Sequence, residues 1–295
     1  MTTFGIGGYA AYYIRVVEPE ELAFVVRETR KLRIPFRLIA GGSNVVFSDE
    51  TFVGLIIHFV QNNSKIFSKK GTLDVAANLG LMKLIQSSIK DGLAGLESLS
   101  GIPGSVGGAI VGNAGAYGQS ISDHLTEVQI FDGRNVRWLK KSECHFAYRD
   151  SAFKREKRKW LVLRARFKLK NGDSKKLLKK SQQIITTRNM KYNPSMKCPG
   201  SFFKNVQVKN ISTSALNKID KNKIRDGKIP AGYLLEVVGA CGMKMGKIEV
   251  ASFHGNLLIN RGGGKFADVK KLSRALKNRV YKKFGIRLEE EVRYL

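Results

Sequence analysis

The chain is predicted to be a mixed α+β protein. Helix-period and strand-period segments alternate along its 295 residues, and a long glycine-rich but apolar run lies between them. This length allows two or three domains of ordinary size and a substantial buried core. The hydrophobic share of 43% is that of an ordinary globular protein.

Residues 11–17 (AYYIRVV) read as a strand. Pro19 then opens a helix whose apolar residues Leu22, Val25, Val26 and Leu32 recur at helical spacing. A second strand covers 35–39 and runs into AGGSN, and further strands fall near 53–59 and 72–77. A short helix is expected over 81–90. Nine of the 28 residues from 91 to 118 are glycine, yet Leu, Ile, Val and Ala fill the gaps. A flexible linker would carry polar filler, so this run is expected to be packed, with glycines where backbone must come close to something or adopt positive φ. Residues 126–140 suggest a hairpin turning at Asp132, Gly133 and Arg134, 160–169 a strand and 174–190 a polar helix, with Pro194 and Pro199 marking a break. A basic, poorly patterned stretch reaches about 228. Pro230 suits the first turn of a helix over AGYLLEVV, and 256–260 reads as a strand. Over 267–284 an amphipathic helix places Val269, Leu272, Leu276 and Val280 on one face, with Gly285 just past its end. A terminal strand, IRLEEEVRY, closes the chain. On it Glu289, Glu291 and Arg293 share one face, and Leu288, Glu290 and Val292 the other.

Lys and Arg number 52 against 24 Asp and Glu, a formal net charge of +28. Such an excess suits nucleic acid, an anionic ligand steered to a basic cleft, or a Lys-rich solvated surface. The basic residues are scattered rather than gathered in one arm, and no nucleic-acid-binding motif stands out. The expectation is therefore a solvated surface that also attracts an anionic ligand, with no nucleic-acid partner. Cys144, Cys198 and Cys241 are odd in number, far apart and without a CxxC pair. They suggest neither a zinc site nor a disulfide framework, and suit a reducing cytoplasm. No signal peptide or bilayer-length apolar run is evident, so no membrane insertion is expected. The four histidines, at 58, 124, 145 and 254, lack metal-ligand spacing, and no metal is expected. The chain begins almost inside a motif, at Thr2 and Thr3, so an upstream segment is expected to be missing.

Five segments could carry chemistry. GGSN at 41–44 follows a strand and could aim backbone N–H groups at an anion, though a plain turn has the same look. GIPGSVGGAIVGNAGAYG at 101–118 suits either the close approach of a long anionic ligand or tight packing of helix on sheet. Its glycine spacing is not the Rossmann fingerprint. YRDSAFK at 148–154 gathers a tyrosine, two cations and a serine, an arrangement also typical of solvated surface. In GSFFKN at 200–205, Ser201 beside two phenylalanines could donate a proton in a water-poor pocket or be a turn serine. No histidine accompanies it, so a Ser–His nucleophile is not indicated. LEEEVR, last in the chain, reads most simply as exposed carboxylates.

The order of these segments is specific. TTFGIGG (2–8), AGGSNVVFSDETFVGLII (40–57), GLESLSGIPGSVGGAIVGNAGAYG (95–118), YRDSAFK, GSFFKN, IPAGYLLE (229–236), HGNLLIN (254–260) and GIRLEEEVR (285–293) occur in turn. From end to end this series resembles the MurB family of flavoenzymes. The resemblance implies a three-domain α+β flavoprotein. Two FAD-binding α/β domains of the vanillyl-alcohol-oxidase (PCMH) type would cover 1–67 and 68–190, the first joined by the terminal strand 286–295. A UDP-sugar-binding α/β domain would cover 191–285. The implied reaction is NADPH-dependent, FAD-mediated reduction of UDP-N-acetylglucosamine enolpyruvate to UDP-N-acetylmuramate, on a cytoplasmic monomer.

By that likeness, FAD would be held by Ala40, Gly41, Gly42, Ser43 and Asn44, and by Gly101, Ile102, Pro103, Gly104, Ser105, Gly107, Gly108, Asn113, Gly115, Ala116 and Tyr117. Ser201 matches the family's proton donor, and Arg149 and Glu291 its other two catalytic positions. Tyr148, Lys197 and Asn205 are candidates for gripping substrate. The chain departs from the family pattern at Gly5, where a basic residue is usual, at Ala40, where a glycine is usual, and at Val206, where a proline is common. The long tyrosine-bearing loop of the larger family form is missing.

Overall fold

The computed structural model describes residues 2–60, 66–155, 160–193 and 195–295. The break expected at Pro194 lies outside the described residues. The chain forms two compact units, one from Ala10–Gly41 and Phe52–Met190, the other from Met1–Tyr9, Gly42–Thr51 and Lys191–Leu295.

In the first unit the strand Phe52–Phe59 is the centre of a parallel sheet, flanked by Ala10–Val16 and Phe36–Ile39. The helix Pro19–Lys31 joins the two outer strands, the crossover that strands running in the same direction need. Pro19 stands in its first turn, Glu20 and Glu21 near its positive end, and Arg30 and Lys31 near its negative end. Leu22 and Val26 are fully buried. Leu32, expected on the same face, is 69% exposed because the helix stops at Lys31. Thr29 takes the buried position instead, its hydroxyl donating to the Val25 carbonyl at 2.6 Å.

A five-stranded antiparallel sheet follows, in the order Val136–Lys140, Leu125–Phe131, Leu161–Lys168, Thr72–Ala76, Phe67–Lys69. The expected hairpin turn forms around Asp132, whose Oδ1 accepts the N–H groups of Arg134 and Asn135, both at 2.8 Å. The helix Leu81–Lys90 buries Leu81, Leu84, Ile85 and Ile89. One apolar core runs from Val16, Leu22 and Ile57 to Leu73, Val128 and Leu177. It therefore spans the boundary at 67/68 drawn from the sequence.

In the second unit the helix Phe266–Phe284 buries Val269, Leu272, Leu276 and Val280 completely and ends at Gly285, φ +73°. A three-stranded antiparallel sheet pairs Lys244–Met245, Ile248–Val250 and Leu258–Asn260. The first two strands escape the sequence reading because two or three residues are too few to show alternation. Val206–Gln207 pairs with Lys228–Ile229, and a short helix Thr213–Leu216 lies between them. Phe4, Ile6 and Val46 join Phe202, Phe203, Leu276 and Val292 in one core. Asn260 ties the amino-terminal segment down by donating from Nδ2 to the carbonyls of Phe4, at 3.0 Å, and Gly5, at 3.2 Å.

The terminal strand is a correction to the sequence reading. Only Arg293–Tyr294 is regular strand, paired in parallel with Val45–Val46. The residues before it keep the expected alternation: Ile286, Leu288 and Val292 are buried, while Arg287, Glu289 and Arg293 are exposed. They bond their neighbour through isolated contacts, and the ladder does not run on. Among the described residues no helix is long and apolar enough to cross a membrane.

Candidate flavin and proton-transfer site

In the first unit the glycine-rich run is held by its own backbone to the segment Ala77–Leu79 that follows the strand Thr72–Ala76. Val106 N–H donates to the Leu79 carbonyl at 2.8 Å and Gly107 N–H to the Ala77 carbonyl at 2.7 Å. A methyl group added at Gly107 would sit 2.9 Å from the Ala77 Cβ, so packing alone demands glycine there. Gly101 and Gly104 have φ of +76° and +112°, a region closed to most side chains. A Cβ on the exposed Gly41 would lie 3.1 Å from the Gly104 Cα, so the loops at 40–41 and 101–105 meet backbone to backbone. Ile102 is half-buried, and Pro103 and Gly108 are exposed. Ser105 caps the helix Val106–Gly112, its Oγ accepting the Gly108 N–H at 3.2 Å. Ala40 is half-buried beside Gly41.

Asn113 ends that helix at φ +43° and donates from Nδ2 to the Ala147 carbonyl at 2.8 Å. Gly115 and Ala116 pair with Ser120 and Gln119, and Tyr117 is exposed at the turn with φ +50°. Two buried acceptors in this stretch, Asn113 Oδ1 and Gln119 Oε1, have no hydrogen-bond partner among the described residues. Such atoms suit the one ring N–H of an oxidised flavin and the several hydroxyls of its ribityl chain. The close-approach glycines suit its flat, extended body. The residues present therefore fit FAD.

Arg149 also lies in this unit, at φ +54°, an uncommon backbone for a side-chain residue. Its Nη2 donates to the Gly115 carbonyl at 2.8 Å, and Lys154 Nζ donates to the Arg149 carbonyl at 3.0 Å. The guanidinium lies 5.5 Å from the centre of the Tyr148 ring. Asp150, its sequence neighbour, pairs with Arg155 at 2.9 Å. The YRDSAFK cluster thus turns Arg149 toward the glycine-rich run.

In the second unit Ser201 begins a segment held on both edges. On one edge Ser201 pairs with Leu257. The buried Asn256 completes that edge, accepting the Phe203 N–H at Oδ1 and donating from Nδ2 to the Phe203 carbonyl, both at 2.8 Å. On the other edge Glu291 N–H donates to the Phe202 carbonyl at 2.8 Å and Lys204 N–H to the Glu289 carbonyl at 2.9 Å. Phe202 and Phe203 point into the core and meet edge to face at 5.1 Å. Asn44 donates from Nδ2 to the Glu291 carbonyl at 3.2 Å, and its own carbonyl accepts the Arg293 N–H at 3.1 Å. Ser201, Glu291 and Asn44 are therefore brought together. Gly42 and Ser43 are fastened to Thr3, whose N–H donates to the Gly42 carbonyl at 3.2 Å and whose hydroxyl donates to the Ser43 carbonyl at 3.4 Å.

Asn205 Oδ1 accepts the Ala231 N–H at 3.1 Å and so caps the helix Ala231–Val237, which Pro230 precedes. Lys197 is exposed, with its carbonyl accepting the Asn260 N–H at 2.9 Å and its Cδ 3.5 Å from where a Gly5 side chain would begin. Two residues escaped the sequence reading. Asn256 stands inside HGNLLIN, where an interior asparagine between apolar residues was the available signal. Tyr192, whose hydroxyl lies 2.9 Å from Ser201 Oγ, had none, since the pairing is tertiary.

Residues 192–295 match the profile of the UDP-N-acetylenolpyruvoylglucosamine reductase C-terminal domain, and residues 10–137 that of an FAD binding domain. A UDP-N-acetylenolpyruvoylglucosamine reductase of Solibacter usitatus is 39% identical over 294 residues, covering 100% of this chain and 93% of that protein. The chain belongs to the UDP-N-acetylenolpyruvoylglucosamine reductase family. A second reductase so named, from Carboxydothermus hydrogenoformans, is 37% identical over 100% of this chain and 90% of its own length. The crystal structure of the Thermus caldophilus reductase superposes with a TM-score of 0.75 at 29% identity, covering 99% of this chain and 95% of that one. Like the family, this chain is an FAD-dependent oxidoreductase of mixed α and β fold.

Proposed function

We propose that the chain reduces the enolpyruvyl ether of UDP-N-acetylglucosamine to the lactyl ether, with NADPH as hydride donor, in peptidoglycan precursor synthesis. The observation that carries this reading is the pairing of the Ser201 and Glu291 segments, which mounts a hydroxyl donor and a carboxylate on neighbouring backbone within a family of this activity. FAD, when bound, supplies the two-electron hydride chemistry.

The protein's own part is proton transfer and charge stabilisation. Hydride addition at C3 of the enolpyruvyl group leaves negative charge over C2 and its carboxylate, and C2 then takes a proton. Ser201 Oγ–H is the proposed donor. A serine hydroxyl is a very weak acid, so it needs electrostatic help. Arg149 is assigned to the substrate carboxylate, where a guanidinium favours the enolate-like charge, and Glu291 to setting the serine's proton. Tyr148, Lys197 and Asn205 are proposed to grip the UDP-sugar, and Ala40–Asn44 with 101–117 to hold FAD. The basic surface favours capture of a substrate carrying a diphosphate and a carboxylate. The functional division proposed is FAD binding by 1–67 and 68–190 and UDP-sugar binding by 191–285, in a cytoplasmic monomer.

The test is the visible absorption spectrum of the purified protein, followed anaerobically. A flavin spectrum that bleaches with NADPH and recovers on adding UDP-N-acetylglucosamine enolpyruvate is expected. A spectrum that bleaches but never recovers with that sugar would overturn the assigned substrate.

A further inference from the structure

We infer that Tyr192 is a positioning residue for the Ser201 proton, its phenol donating to Ser201 Oγ and turning the serine's own hydrogen away toward substrate. This rests on the proposed role of Ser201. The two hydroxyl oxygens lie 2.9 Å apart. Both partners are mounted on one small structure: the Tyr192 ring packs with Met196 and Cys198 on the buried Ala251, Leu257 and Ile259, and Ser201 pairs with Leu257 itself. The separation is thus set by packing and backbone pairing together.

Chemistry decides which oxygen donates. A phenol, of pKa about 10, is a far stronger acid than an aliphatic alcohol and the better donor of the pair. The ammonium group of Lys191 lies over the same ring, 5.4 Å from its centre. As C2–H forms and the serine O–H breaks, negative charge develops on Oγ, where the phenol already points a hydrogen. The serine then regains its hydrogen from the phenol, and the phenolate takes one from water. One solvent proton is consumed per turnover, as reduction of a carbon–carbon double bond by NADPH requires.

The test uses the FAD-loaded protein with Tyr192→Phe, Ser201→Ala and the double variant, each half-reaction being followed by flavin absorbance. Tyr192→Phe keeps the ring, so bleaching by NADPH should be unchanged, while recovery with the enolpyruvyl sugar slows about tenfold and its solvent deuterium isotope effect changes. In the Ser201→Ala background, removing the phenol should cost nothing further, because Tyr192 acts through the serine. An equal slowing in both backgrounds would make Tyr192 merely structural and overturn the inference. So would an unchanged recovery rate in Tyr192→Phe alongside a crippled Ser201→Ala. If Ser201→Ala itself recovers at the wild-type rate, the proposed proton donor fails first, and this inference with it. A readout independent of turnover is fluorine NMR of a fluorotyrosine placed at position 192. Its resonance should move on Ser201→Ala, and an unmoved resonance would show that the hydrogen bond does not form.

Discussion

The backbone N–H of Glu291 donates to the carbonyl of Phe202 at 2.8 Å, one residue from the hydroxyl of Ser201. The carboxylate proposed to govern proton transfer is thus placed by main chain on the segment that carries the proton. Its side chain has no part in that bond. Glu291→Gln should leave the fold and flavin content intact and lower kcat by on the order of a hundredfold or more. Thermal melting and the flavin spectrum, measured beside steady-state rates, check this. A loss of flavin in the variant would reassign Glu291 to cofactor binding.

Gly107→Ala should destabilise the first unit by about 1–3 kcal/mol, because the added methyl meets Ala77 in a packed interior. The same displacement disturbs the 101–105 loop, so flavin should be lost on dilution. Calorimetry and flavin retention after gel filtration measure the two effects separately.

Of the main elements, the amphipathic helix at 266–284, the 125–140 hairpin and the crossover helix were legible because each has enough residues to show a period or a turn signature. The paired two- and three-residue strands at 244–250 were not, and neither was the capture of residues 2–9 by Asn260 more than 250 positions later. The site divides in the same way. Ser201, Arg149 and Glu291 stand in recognisable strings, whereas Asn256 is marked only by its polar type within an apolar run and the Tyr192 contact by no local pattern at all.

Burial pushes the Cys144 thiol up to about 12, with the neighbouring Glu143 adding to the shift. A thiol held protonated in the core is a poor nucleophile. Iodoacetamide at pH 8 should leave Cys144 unlabelled in the folded protein and modify it in denaturant, as peptide mass spectrometry would show. Ready labelling of the native protein would mean that the core around Cys144 opens.

Burial alone would raise the Glu290 carboxyl, but hydrogen bonds from Ser273 at 2.7 Å and Lys277 at 3.0 Å outweigh it and leave the group below its ordinary 4.5. A carboxylate depressed in the folded state stabilises the fold above its unfolded pKa and loses that effect as pH falls through the folded one. The melting temperature of the wild type should therefore exceed that of Glu290→Gln at neutral pH, and the gap should close in acid below about 4.5. A gap that stays constant down to strongly acidic pH would show that ionisation of Glu290 has no share in it.

The second unit is assembled from three separated stretches, with Leu295 bonded to Val46 and Ser48. During synthesis the first unit has all its residues once Met190 has emerged. The second must wait for the last ten residues, which carry Glu291 and close its core with Ile286, Leu288 and Val292. A nascent or prematurely released chain would therefore hold every residue of the first unit beside a second core still open, so that completion of the second unit waits on translation of that final stretch.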